Sequence, residues 1–366
     1  MLRNDIRNGI WTLLSIAVAS VWTLENIAAA GVYFVFTSEN RPDSETFLLR
    51  MQDGRETLRS NLGTVGEYGR TDRRLYVLTS QNNSWQIRSW DLRSGTELPP
   101  TDLAKLPVTP IVNFTGFNQG LFVDSQNSLI LWMGLRDFEV ERKPGRVAIK
   151  ESRQRYLWGG ADLESGDAFE VDSPAGVIPG SLPTPMGQGR LGSFVEGGQF
   201  LLFDPDKRRL DPDSHVGEMK IGRWYGDGVG IVSMDKEHHY LRYATTDFTA
   251  LENAESLLGG KSILGQVRFR VDSQGRPLAL VALGGREKQT TMLVVCDPLS
   301  GEETSRKELP ARLYNFEASQ DGNVCLFKNK PEKKAVLFNR NAGSIQQIDF
   351  SRYEKAELIV DLSSDQ

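Results

Sequence analysis

The chain has 366 residues, 39% hydrophobic and 25% charged, with 35 glycines and no long low-complexity tract. Such a composition buries a real core and excludes intrinsic disorder. The formal charge of −5 provides no global positive field for phosphates, so nucleic acid is not an expected partner.

In chain order, the first feature is an address. Arg3 and Arg7 form a short positive region, Ile10 to Leu24 is uncharged and mostly apolar, and Ala28, Ala29 and Ala30 offer a small-residue cleavage site before Gly31. That is the grammar of a signal peptide. A rival reading joins Ile10 to Phe36 into one membrane-spanning helix. Glu25 opposes it, because a carboxylate in a spanning helix costs about 2.5–3.5 kcal/mol. A third reading is a buried helix followed by a first strand, "VYFVF". Residues 1–38 are therefore expected as a signal peptide or transmembrane anchor and 39–45, polar and proline-containing, as a linker. Both export readings place everything after residue 38 outside the cytoplasm, in the periplasm or on the outer face of a membrane.

From residue 46 onward the sequence repeats. The decapeptide "SWDLRSGTEL" at 89–98 has relatives in "ADLESGDAF" at 161–169, "CDPLSGEET" at 296–304 and "FNRNAGSIQ" at 338–346. The shared pattern is an apolar or small residue, Asp or Asn, two variable positions, Ser or Ala, then Gly. The Asp or Asn side chain accepts hydrogen bonds from the next backbone N–H groups, and glycine supplies the positive φ that closes the corner. Candidate turn residues are thus Asp91 and Gly95, Asp162 and Gly166, Asp297 and Gly301, and Asn339 and Gly343. Weaker copies occur at 203–210, 243–251, 133–140 ("MGLRDFEV") and 50–58 ("RMQDGRETL").

With the weak copies included, most steps between marks fall near forty residues, the period of one four-stranded propeller blade. Short apolar runs precede many marks, among them "LYVLT" at 75–79, "FLLF" at 200–203 and "MLVVC" at 292–296. Runs of this kind suit strands covered on both faces. The predicted fold is an all-β propeller over 46–366 with about seven blades, six to eight being compatible, behind an N-terminal hydrophobic helix. The final run "AELIVDL" at 356–362 is positioned to join the first blade and close the ring.

The segment "IRSWDLRSGTEL" resembles the closing strand of a WD repeat, and the Asp-x-x-Ser-Gly corners resemble those of bacterial quinoprotein-like propellers. The resemblance covers about residues 45–362. Only Trp90-Asp91 is a true WD pair, and no blade carries the upstream Gly-His. A retained quinone site implies tryptophan recurring at one blade position; Trp85, Trp90, Trp132, Trp158 and Trp224 do not recur so, and no cofactor is expected.

No catalytic motif emerges. The three histidines, His215, His238 and His239, lack zinc-site grouping, and the adjacent pair diverges on a strand. Ser193 lacks the glycine register of a hydrolase elbow. Asp204, Asp206, Asp211 and Asp213 miss calcium-loop spacing and read as an acidic hairpin. "NNS" at 82–84 and "NFT" at 113–115 match the glycosylation sequon, a frequent chance pattern. Cys296 and Cys325 sit in apolar runs and are expected buried and inert. A basic interval from Arg136 to Arg155 is interleaved with acids and reads as a solvated face. The proline- and glycine-rich stretch 174–190 excludes a long strand or helix, and Thr249, Glu252 and Gly259 frame a short helical turn at 250–258. The expected function is a non-enzymatic scaffold for another protein or envelope component, with no catalytic, cofactor or metal residues. An extracytoplasmic lyase or hydrolase on sugar or peptide, with a central-channel site, is the alternative.

Overall fold

The apolar runs are strands whose successive side chains serve two different interfaces. The computed structural model describes residues 32–363 except for connecting segments, the longest being 111–119, 174–183, 213–222 and 251–265. Among the described residues every regular element is a strand, and the 28 strands pair antiparallel into seven blades of a β-propeller.

Blade 1 combines β28 (Lys355–Val360), β1 (Tyr33–Ser38), β2 (Thr46–Gln52) and the first half of β3 (Arg55–Arg70). Blade 2 takes the second half of β3 with β4 (Arg74–Gln81), β5 (Ser84–Asp91) and β6 (Glu97–Leu103). In blade 3, β7 (Thr109–Pro110) and β8 (Leu121–Asp124) both pair with β9 (Leu129–Arg142), followed by β10 (Ile149–Asp162) and β11 (Ala168–Glu170). Blade 4 is β12 (Thr184–Gly187), β13 (Arg190–Val195), β14 (Gln199–Asp204) and β15 (Arg209–Pro212). Blade 5 is β16 (Arg223–Asp227), β17 (Gly230–Met234), β18 (His239–Tyr243) and β19 (Thr249–Ala250). Blade 6 is β20 (Gln266–Val271), β21 (Pro277–Gly284), β22 (Thr291–Cys296) and β23 (Glu303–Leu309). Blade 7 is β24 (Asn315–Ala318), β25 (Val324–Asn329), β26 (Lys334–Asn339) and β27 (Ser344–Asp349).

The core is a set of seams between blades. On β1, Tyr33 and Val35 pack with Leu326 and Ile348 of blade 7, whereas Phe34 and Phe36 pack with Leu75, Val77 and Trp90 of blade 2. The same division holds on β4, where Tyr76 and Leu78 turn instead toward Ile130 and Trp132 of blade 3. On β9, Leu129 and Leu131 meet Leu201 and Phe203 of blade 4. Alternation within a strand sends consecutive residues to opposite sheet faces, so a strand buried on both faces reads as one unbroken apolar run.

The last strand closes the ring as expected, with Tyr33 opposite Val360 and Ser38 opposite Lys355. The propeller consequently begins at Tyr33 rather than at residue 46, and segment 39–45 runs between two strands of one blade rather than between anchor and domain. A spanning helix reaching Phe36 conflicts with this strand, because Phe34 and Phe36 have no solvent exposure; any leader or anchor ends before Tyr33. The leader itself, residues 1–31, lies outside the described residues. Among the described residues, no helix is long and apolar enough to cross a membrane.

One local expectation changes. The weak copy at 133–140 is not a corner but the interior of β9, paired residue for residue with β10; Glu141 stands four residues after Asp137, where the true corners have glycine. Within the stretch 174–190 the short strand β12 forms, with a register shift between Pro185 and Gly187. β3 joins two blades as one strand of 16 residues. Gly63, at φ 61° with its N–H bonded to Asn61 Oδ1 at 2.9 Å, marks the point where pairing passes from β2 to β4. Of the helical turn at 250–258, Ala250 ends β19 and the remainder lies outside the described residues.

A Cβ at Gly166 would stand 2.4 Å from the Asp102 carbonyl oxygen, at φ +76°, whereas one at Gly343 meets nothing within 4 Å. Gly166→Ala is expected to destabilise the fold by about 1–3 kcal/mol in chemical denaturation. Gly343→Ala should show only the backbone strain, about 1 kcal/mol.

Candidate functional site

Up-and-down strand order places the first and third turn of every blade on one face of the ring. The corner residues expected from sequence lie there. Asp91 Oδ1 accepts hydrogen bonds from Ser94 N (2.7 Å) and Ser94 Oγ (2.8 Å), and Asp162 Oδ1 accepts from Glu164 N and Ser165 N, both at 2.8 Å. Asn339 Oδ1 accepts from Ala342 N at 2.9 Å, and Asp297 Oδ1 more loosely from Ser300 N at 3.4 Å. Gly95, Gly166 and Gly343 take φ of 68°, 76° and 65°; Gly301 lies outside the described residues. These bonds, led by the one from the Ser94 N–H, hold the Asp91 carboxyl below its ordinary range, and the Ser165 N–H does the same for Asp162. The corners are structural, and they frame the site without forming it.

Inner strands of blades 7, 1 and 2 bring together a charged cluster that sequence reading did not anticipate. Lys328 on β25 is fully buried. Its Nζ forms ion pairs with Glu317 of β24 and, at 2.6 Å, with Glu357 Oε1 of β28. Lys330 Nζ holds the other Glu357 oxygen at 2.6 Å, and Arg70 Nη1 of β3 reaches Glu317 Oε2 at 3.3 Å. Burial alone would raise the Glu317 carboxyl, but Lys328 and Arg70 overcome it and bring it to about 2. The neighbouring Tyr68 phenol is held well above its ordinary value, first by burial and then by Glu357 and Glu317. Each charge here is answered by an opposite one, so the cluster stitches the ring closure and offers no free acid or base.

Glu67 is different. A bulge between Val65 and Glu67 turns this β3 side chain inward, where its carboxyl lies over Gly120, the residue before β8. Its Oε2 is buried without a hydrogen-bond partner, and burial pushes the carboxyl up to about 8. It is a protonated acid wedged between the inner strands of blades 2 and 3.

The turn face also holds a cleft of about 670 Å³, lined by loops of four blades. Its walls carry Asp72, Arg73 and Arg74 from blade 2, Ser125 and Glu164 from blade 3, Gln320 and Asp321 from blade 7, and Ser363 after β28. Tyr76, Ile87, Leu98 and Leu163 supply apolar surface among these groups. Asp72 Oδ2 accepts a hydrogen bond from Gln320 N at 2.6 Å, tying blade 2 to blade 7. Burial raises the Asp72 carboxyl; the Gln320 N–H, Arg270 and Arg70 oppose the rise, and Asp321 adds to it. Asp321 Oδ1 is itself bonded by Ser319 Oγ at 2.5 Å and Asn323 N at 2.9 Å. No single stretch of sequence encodes this cleft. The only local hint was the recurrence of Asp-containing first turns such as "SQDGN" at 319–323.

Among the described residues no group of His, Cys, Asp and Glu is placed to hold a metal ion. His239 opens β18, while His215 and His238 lie outside the described residues. Cys296 and Cys325 are buried free thiols, as expected, and burial pushes both up to about 12. Asp204 caps its hairpin by accepting from Lys207 N at 3.0 Å.

Neither a family model nor a curated protein sequence matches the chain. Solved structures do. An oligogalacturonate lyase in complex with manganese is 10% identical over 88% of this chain and 85% of that chain, with a TM-score of 0.48. An uncharacterized protein from Listeria monocytogenes is 12% identical over 87% and 91%, with a TM-score of 0.47. A protein from Lactobacillus plantarum is 13% identical over 90% and 99%, with a TM-score of 0.45. At such identities the likeness concerns the fold.

Two predictions follow from the buried charges. Lys328→Met leaves Glu317 and Glu357 without their shared cation and should cost about 3–5 kcal/mol in denaturation at neutral pH. Glu67, raised from 4.5 to about 8, favours the folded state fully below pH 4.5 and loses that contribution as pH rises to 8. Glu67→Gln should therefore match the parent near pH 4 and exceed its stability by roughly 2–4 kcal/mol at pH 8.

Proposed function

We propose that this chain is an exported propeller, membrane-tethered if the leader is retained, that works as a non-enzymatic scaffold. Its partner is another protein or a polar envelope component held in the turn-face cleft. The observation that carries the reading is the cleft itself: loops of four blades converge on about 670 Å³ of mainly polar wall, while the channel carboxylates Glu317 and Glu357 are spent on cations. A rigid ring presenting variable loops is suited to recognition, with function residing in the loops. β1 begins at Tyr33 on the cleft face, where β28 ends, so a retained anchor would hold this face toward the membrane.

We read the blades as WD-repeat-like or quinoprotein-like in their corner chemistry, without the cofactor. One observation favours the enzyme reading: Asp72 is a carboxyl raised by burial in an open cleft, the condition of a general acid.

The test is affinity capture from native envelope with the tagged full chain, combined with intact mass and a turnover assay on a glycan and peptide panel. The scaffold reading expects a reproducible companion, retained roughly tenfold less by the Asp72→Asn, Asp321→Asn double variant, and no turnover. Turnover that disappears in Asp72→Asn would establish the enzyme instead. An intact mass lacking the first 30 residues would identify secretion rather than anchoring.

A further inference from the structure

The second turn of each blade points away from the cleft, and in blade 3 that turn is carried out on a ribbon. β9 and β10 stay paired without a register break from Asp162↔Leu129 to Ile149↔Arg142. Their blade neighbours stop early: β7 pairs with β9 only at Leu135 and Gly134, and β11 pairs with β10 only from Gly159 to Ala161. The Val171 N–H adds one bond to Trp158 O at 2.9 Å. Beyond these points, seven residue pairs from Arg136↔Arg155 to Arg142↔Ile149 form a two-stranded ribbon about 20 Å long. Among the described residues, neither of its outer backbone edges has a strand partner.

On β10 the unpaired edge can be assigned group by group. Trp158 O accepts from Val171, and Asp162 N donates to Asp167 O at 3.1 Å. Backbone groups in an antiparallel strand alternate in direction, so the even-numbered residues face outward, and Tyr156, Gln154, Ser152 and Lys150 present N–H and C=O groups to the open side. Tyr156 is 49% exposed, one of two large hydrophobic residues exposed among those described. From Ile149 to Tyr156 the strand's own sequence holds three basic residues, Lys150, Arg153 and Arg155, and one acidic, Glu151, against a chain charge of −5.

We infer that the outer edge of β10 is a docking strand for an extended, acidic segment of a partner polypeptide. The segment would add to the ribbon by backbone pairing, with Tyr156 at the base. An unpaired strand edge is a template for main-chain hydrogen bonds, and alternate side chains supply selectivity. The local surplus of positive charge selects an acidic strand over a neutral or basic one. This inference does not depend on the scaffold reading, since such an edge serves an enzyme equally; its probe and its variant both lie far from the cleft.

The test measures binding of a labelled short peptide of alternating glutamate and valine to the full chain by fluorescence anisotropy. Controls are a lysine–valine peptide and a glutamate–valine peptide N-methylated at alternate amides. Gln154→Pro removes one outward N–H without breaking a β9 pair, because proline is tolerated where the N–H faces away from the sheet. The expected result is saturable binding of the acidic peptide, weakened about tenfold by N-methylation and about tenfold by Gln154→Pro. Equal binding of the N-methylated peptide would mean attraction by charge alone and would overturn the inference. So would absence of binding, or an unchanged affinity in Gln154→Pro. Sedimentation showing a dimer that Gln154→Pro dissociates would assign the edge to a second copy instead and also overturn it.

Discussion

Residues 355–360 must find residues 33–38, at the other end of the chain, before blade 1 has an inner strand. Everything else depends on that pairing. A propeller sheet is apolar on both faces, and each face needs a neighbour. Until β28 reaches β1, Tyr33, Val35 and Leu49 lack Leu358 and Val360 and the blade 7 residues packed with them. The charged cluster sits at this join: Glu357 comes from the closing strand, Lys328 and Glu317 from blade 7, and Arg70 from blade 2. A buried ion group of this kind adds little net stability over an apolar substitute, but breaking it is severe, because the remaining charges are left without partners. The cluster thus penalises an incorrectly joined ring more than it rewards a correct one.

The corners were legible because their chemistry is local. An aspartate followed four residues later by glycine needs no distant partner, and Asp91 with Gly95 and Asp162 with Gly166 adopt the geometry their spacing implies. The paired-face strands were legible for a related reason, since "LYVLT" and "MLVVC" are apolar without alternation. The misreadings came where local chemistry was incomplete. At 133–140 an aspartate in an apolar setting imitated a corner but lacked its glycine, and the residues continue as strand. The start of the propeller was placed late because a strand buried on both faces and an apolar leader have the same composition; only the pairing of Tyr33 with Val360 separates them.

The site was not legible, for a reason of geometry. Asp72 and Gln320 are about 250 positions apart in sequence, and their hydrogen bond exists because first turns of blades 2 and 7 meet at the channel mouth. Glu67 looks like an ordinary strand glutamate; the bulge before it, together with Gly120 opposite, makes it a buried acid. Neither fact follows from residue type and spacing, because both require knowing where each turn and strand sits in the ring. The ring therefore divides its information: corners and seams are written locally, while polar chemistry is assembled from distant turns.

The single strand β3 has a mechanical corollary. At the other joints between blades, the last strand of one blade and the first strand of the next are separate elements. Between blades 1 and 2 the connection is itself hydrogen-bonded, from Arg55 on one side to Arg70 on the other, with Gly63 as its pivot. A load applied through β1 from the leader would pass into blade 2 through backbone bonds rather than through a compliant tether. These two blades are thereby coupled through one continuous run of backbone pairing.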